Sequence, residues 1–202
     1  NSVAFDENFY KKEFLKYNIY ENLGNYDIES INSDVLDYLA HGKNDELIEN
    51  DFFNQREKKH LLDVKNLIEK ILAAYYFSLS LFLLLFVFLI DFNIKKTVKR
   101  FLVILSLGSF LTLLDAVLLF ILSNFNFYFV FDMFHKTFFS SGSYIFNPAF
   151  ENIVVLYPQN LFFDALISII FGAIITSLTI LFFCAMFFIF SKRKFLKKNS
   201  EN

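Results

Sequence analysis

The chain has 202 residues, 55% of them hydrophobic, 20% aromatic and 20% charged, with a formal net charge of −2 and a mean hydropathy of +0.44. That apolarity excludes an ordinary soluble domain and points to the membrane class, and the balanced charge offers no basic field for nucleic acid. The one cysteine, Cys184, lies in an apolar run, so an intrachain disulfide and a cysteine-rich metal site are both excluded.

Residue 1 is Asn rather than Met and no signal peptide precedes it, so the numbered chain is expected to lack its true start or to have been processed. Residues 1–53 are polar, and Phe9, Tyr10, Phe14, Tyr17 and Tyr20 have a spacing that suits a helix or a twisted strand. Ile31, Val35, Leu36 and Leu39 form a helical stripe, with Ser33 and Asp34 suited to its first turn. His41-Gly42 reads as the helix end, with Gly in the left-handed cap position. About fifty residues is small for an independent core. This piece therefore reads as a cap that leans on the membrane part.

From residue 54 a helical pattern runs without Pro or Gly to Phe92, first amphipathic and then apolar from Ile71 to Ile90, long enough to cross a bilayer. Residues 93–100 form a loop with Lys95, Lys96, Lys99 and Arg100, residues 101–123 a second span, and residues 161–190 a third. Residues 191–202 make a basic tail. The positive-inside rule puts both basic segments in the cytoplasm. The 1–53 cap and residues 124–160 then face outward together, and an outside N-terminus implies a fourth span upstream. The 124–160 stretch holds both prolines, Pro148 and Pro158, and Gly142 among serines, and reads as a re-entrant or interfacial aromatic loop. The fold class expected is a predominantly α membrane protein: a helical transmembrane bundle of three spans here, four when complete, with a small α or α+β extracytoplasmic cap. Asp115, deep in the second span, is expected to face the bundle interior.

Chemistry concentrates just before the first span. In a helix, Arg56 and His60 are four apart and Glu57, His60 and Asp63 are spaced by threes, so an imidazole has carboxylates and a guanidinium on neighbouring turns. A histidine held by a carboxylate beside a bilayer is a simple proton-transfer group. His135, three residues after Asp132, falls on the same side at the same predicted depth. Without an HExxH pair, two distant histidines make a weak metal signature. The chain also lacks a serine-hydrolase elbow and a nucleotide fingerprint.

Arg56-Glu57-x-x-His60-x-x-Asp63-Val64-Lys65 leading into a span, then Phe134-His135-x-x-Phe138-Phe139, an aromatic and Asn-Pro step from Tyr144 to Pro148, and Pro158 with Phe162-Phe163 resemble the bacterial integral membrane family that includes the lipoprotein intramolecular transacylases. Tyr144 stands where a tryptophan is expected, and Gln159 where an acid is. The resemblance implies a multi-pass enzyme of the bacterial cell membrane, active as a monomer on its extracytoplasmic side among membrane lipids. Its substrate would be a diacylated lipoprotein, whose sn-2 acyl chain moves from the diacylglyceryl group to the α-amino group of the same cysteine, giving the lyso-form. Ester becoming amide runs downhill, so no cofactor or metal is required. In this reading His60 is the base, oriented by Glu57 or Asp63. His135, oriented by Asp132, is the oxyanion donor or second acid, with the roles open to exchange. Arg56 holds a carboxylate or a lipid headgroup, and Phe134, Phe138, Phe139 and Tyr144 line an acyl groove. The rivals are a non-catalytic membrane protein that binds an exported partner and a metal-dependent membrane hydrolase.

Overall fold

A computed structural model describes residues 3–42 and 46–200, the side chains from 193 onward excepted. Those residues are helical where they are regular, with no strand among them. The helices are α1 (Glu7–Lys16), α2 (Ile19–Asn22), α3 (Ile28–His41), α4 (Gln55–Val87), α5 (Ile94–Phe138), α6 (Ile153–Leu156) and α7 (Gln159–Ser200). Three of them, α4, α5 and α7, are long and apolar enough to cross a membrane. The last charged residue before the apolar part of α4 is Lys70. His60 therefore precedes the membrane-crossing stretch, and His135 follows that of α5.

The chain divides into two compact units, Asn1–Ser78 with Phe125–Leu166, and Leu79–Asn124 with Ile167–Asn202. In the first, Phe14, Ile19, Ile28, Val35, Phe52, Phe53, Leu61, Ile153, Leu156 and Leu161 share one buried cluster. Helices α1 to α3 thus obtain a core by packing on the starts of α4 and α7 and on α6, which answers the shortage of apolar surface in fifty residues. Lys16 and the Tyr17 hydroxyl both bond Asp164 at the start of α7, the latter at 2.5 Å.

The expected helix over 30–39 is longer. It starts at Ile28, because Asp27 takes the N-cap and its side chain accepts the Ser30 N–H at 3.1 Å, leaving Ser33 and Asp34 in mid-helix. Gly42 does follow the last turn, but with φ −55° and ψ 150° rather than in a left-handed conformation. Its need is space: a Cβ would lie 2.5 Å from the Tyr38 carbonyl oxygen.

The second unit contains the basic turn. Asp91 and Asn93 side chains accept the Asn93 and Lys95 N–H groups at 3.0 and 3.1 Å, and Thr97 Oγ1 accepts the Asp91 N–H at 2.8 Å, closing the turn into α5. A cavity of roughly 680 Å³ lies in this unit, lined in part by Gly108, Ser109, Gly172, Ala173, Thr176 and Ser177. Asp115, expected inside, is exposed on its helix. Apolar side chains such as Leu84, Leu111, Ile175 and Phe183 are also exposed, as suits helices whose solvent is lipid.

Residues 124–138 were expected to leave the helix and instead continue it. The interruption is one residue, Asn126, with φ −157° and ψ 85°. Its side chain accepts the Phe129 N–H at 3.0 Å, so helix restarts there on an asparagine cap. The segment is irregular from Phe139 to Asn152 and again at Tyr157 and Pro158.

Candidate functional site

The entry to α4 is built by a reciprocal cap. Asn54 Oδ1 accepts the N–H groups of Arg56 and Glu57 at 2.8 and 3.0 Å, while Glu57 Oε2 accepts the Asn54 N–H at 2.6 Å. This is a capping box with Asn in the leading position. The other Glu57 oxygen accepts the Ile153 N–H at 2.7 Å, starting α6. A buried carboxylate thereby ties two helix starts together and fixes the first turns of α4, one of which carries His60.

His60 and His135 come together. Their rings are stacked, centroids 6.2 Å apart and planes 20° apart, and both side chains are buried. Phe139 lies against both, at 5.1 Å from His60 and 5.4 Å from His135. Phe146 closes on His60 at 5.2 Å, and Tyr144 and Phe131 close on His135 at 4.9 and 4.2 Å. Phe134 stands edge-on to His135 at 5.5 Å and packs on Phe138 at 5.0 Å. Both are more than two-fifths exposed. An aromatic wall therefore leads from the histidines to the protein surface.

The partners of the histidines differ from those the spacing suggested. His135 Nδ1 is 2.7 Å from the Phe131 carbonyl oxygen. A carbonyl only accepts, so Nδ1 carries the proton and Nε2 keeps its lone pair when the ring is neutral. Asp132, expected to orient this ring, pairs with Lys136 at 2.6 Å. His60 Nδ1 is buried with no hydrogen-bond partner, so neither Glu57 nor Asp63 orients it through that atom. Both Glu57 oxygens are occupied by backbone N–H groups. Partial burial raises the Asp63 carboxyl above its usual range.

Burial holds both imidazoles below their ordinary value, because desolvation disfavours the cation. His60 is pushed down to about 4 by that burial, with the neighbouring His135 and Arg56 adding to the effect. For His135, burial outweighs the Phe131 carbonyl and Asp132, which oppose it. At neutral pH the site is a pair of uncharged imidazoles in an aromatic pocket, able to accept one proton and donate another. Among the described residues, no group of three or more His, Cys, Asp or Glu is placed to hold a metal ion.

One site residue was missed by the spacing argument. Glu151, buried, accepts from Arg56 through Oε1 at 2.6 Å and from the Asn147 N–H through Oε2 at 2.6 Å. Its signal was available, since it is the single acid between Asp132 and Asp164 in an aromatic stretch.

A family model described as Lipoprotein intramolecular transacylase Lit matches residues 1–163. Among solved structures, the in meso structure of the membrane integral lipoprotein intramolecular transacylase Lit from Bacillus cereus superposes with a TM-score of 0.74 at 23% identity, covering 96% of this chain and 87% of that one. A histidine-to-alanine variant of the same protein gives a TM-score of 0.73 at 22% identity, covering 96% and 86%. Likeness at that level of identity carries the fold. No curated protein matches the chain. The family match spans most of the sequence, and the chain belongs to the lipoprotein intramolecular transacylase family, a family of acyltransferases.

Proposed function

We propose that the chain moves the sn-2 acyl group of a lipoprotein's diacylglyceryl-cysteine onto the α-amino group of that same cysteine. The observation that carries this reading is the stacked pair of buried imidazoles, 6.2 Å between centroids, with the His135 Nδ1 proton tied to a backbone carbonyl.

Amine and ester sit on one molecule, so the main task is to bring two short arms together in a dry pocket. The neutral amine attacks the ester carbonyl, and His135 Nε2, the bare lone pair, takes the proton that nitrogen sheds. Buried orphan N–H groups are rarer than under-satisfied acceptors, which favours the bare lone pair at the unpartnered His60 Nδ1. His60 then presents Nε2–H to the developing oxyanion. As the intermediate collapses, the bond from the carbonyl carbon to the glyceryl oxygen breaks and the His135 imidazolium returns its proton to that oxygen. An ester and an amine become an amide and a hydroxyl, with no net proton. This takes the other of the two role assignments that the resemblance left open, in which His60 had stood as the base.

Phe134 and Phe138, exposed beside the histidines, suit the migrating chain, with Phe139 and Tyr144 as the inner wall. Lys95, Lys96, Lys99 and Arg100 in the turn before α5, with Lys192 to Lys194 in the sequence after the third span, support a cytoplasmic side opposite the histidines and hence an extracytoplasmic reaction. We read the enzyme as a monomer that draws its substrate from the surrounding lipid.

The test is mass spectrometry of lipoprotein N-terminal peptides from a host deprived of its own N-acylating enzymes and supplied with the intact gene. Conversion of the free-amine diacyl form to the N-acyl lyso-form is expected. An unchanged diacyl form sinks the reading.

A further inference from the structure

The irregular segment from Gly142 to Asn147 carries two of the rings that enclose the histidines, yet its own residues supply little to hold it. Gly142 has φ 83°, and the turn is closed locally only by Ser143, whose N–H and hydroxyl donate to the Ser140 carbonyl oxygen at 3.1 and 2.9 Å. What fixes it is Arg56. One guanidinium nitrogen donates to Glu151 Oε1 at 2.6 Å, and the other donates to the carbonyl oxygens of Gly142, at 3.1 Å, and Ile145. The same group lies over the Phe146 ring, 4.8 Å from its centroid. Phe146 in turn faces His60. Glu151 completes the arrangement by accepting the Asn147 N–H, so guanidinium and carboxylate together grip the segment at residues 142, 145 and 147. Asn152 Nδ2 donates to the Phe52 carbonyl at 2.8 Å just beyond it.

We propose that Arg56 and Glu151 are positioning residues for the histidine pair: together they clamp the 142–147 segment so that Tyr144 and Phe146 close over His135 and His60. The inference rests on the proposed transacylase reading for what the pocket does, and on geometry alone for what the clamp holds. Glu151 is buried with both of its oxygens occupied, one by Arg56 and one by the Asn147 N–H. Only a planar fork reaches two carbonyls and a carboxylate at once while stacking on a ring, so lysine is a poor substitute.

The chain contains no tryptophan, which makes the clamp directly observable. Tyr144→Trp places one indole in the segment, against His135. With Arg56 and Glu151 intact, its emission should be blue-shifted and shielded from iodide. Adding Arg56→Ala or Glu151→Gln should shift emission to the red and raise iodide quenching. In the otherwise native enzyme, Arg56→Lys and Glu151→Gln should lower kcat per folded molecule about a hundredfold, as a misplacement of roughly 1 Å does. KM for a diacylated lipopeptide should change little, and the shape of the pH profile should be kept.

Emission and quenching unchanged by Arg56→Ala overturn the clamp. So does an unchanged kcat per folded molecule in both variants, which would leave the two residues a merely structural role. Loss of one limb of the pH profile in Glu151→Gln also overturns it, by making Glu151 a proton carrier. If the native enzyme produces no lyso-form at all, the functional reading fails and the clamp is judged on fluorescence alone.

Discussion

His135 gives its Nδ1 proton to the carbonyl of Phe131, one helical turn earlier and 2.7 Å away. This bond uses the second lone pair of a backbone carbonyl within the same helix, and it needs no carboxylate. It turns a titratable ring into one with a fixed tautomer, a bare Nε2 beside the stacked ring of His60.

That asymmetry predicts unequal tolerance. An amide can replace an N–H donor but cannot serve as a base. His60→Gln is therefore expected to retain measurable lyso-form product, whereas His135→Gln falls with His135→Ala, by about 10² to 10⁴ in rate, the usual worth of a general base. Single-turnover assays with a synthetic diacylated lipopeptide would read this. Equal loss in both glutamine variants would remove the assignment.

The pH profile should lack a limb at 6.5, the ordinary histidine value, because burial lowers both rings, His60 to about 4. The rising limb should instead follow the substrate's α-amino group, near 7.7–8.0 in reference compounds. Stability runs with the same sign. The unfolded chain binds protons at His60 below about 6.5 while the folded chain resists until about 4, so the fold is most stable above that window and loses stability as pH falls through it. Thermal melts in detergent across that range would show it, and His60→Gln should flatten the slope.

Phe139 packs on both histidines and is buried. Phe139→Ala should cost about 3–5 kcal/mol if the space stays open and should lower the rate by freeing the rings, while Phe139→Leu should keep most of both. Melting midpoints compared with kcat would separate the two effects.

Glu57 is placed to hold backbone rather than to tune an imidazole. Glu57→Gln should lower stability by roughly 1–3 kcal/mol, the cost of weakening charged hydrogen bonds to buried N–H groups, and should leave the pH profile unshifted. A displaced profile would restore Glu57 as a partner of His60.

Legibility differed by the range of the interaction. The helical stripe of Ile31, Val35 and Leu36 and the uncharged run from Ile71 to Ile90 were readable because one side-chain period or one hydropathy step defines each. Spacing also brought Arg56, Glu57 and His60 onto neighbouring turns, and the matched depth of His135 placed the two histidines at one level. Spacing misassigned their partners. On a helix surface several acids fall within reach of one ring, and which of them is spent on a backbone N–H depends on residues far away in the chain, such as Ile153 for Glu57. The continuation of α5 through Phe138 was hidden for a local reason: one extended asparagine, Asn126, breaks the pattern and then caps the next turn.

By itself, then, the sequence determined the membrane class, the three apolar helices and the family likeness, because each follows from composition, length or short-range order along the chain. Tertiary structure alone decided that His60 and His135 stack and that Arg56 meets Glu151. Those contacts join segments far apart in the chain. Their energies come from desolvation and hydrogen-bond geometry that exist only once the aromatic pocket has closed.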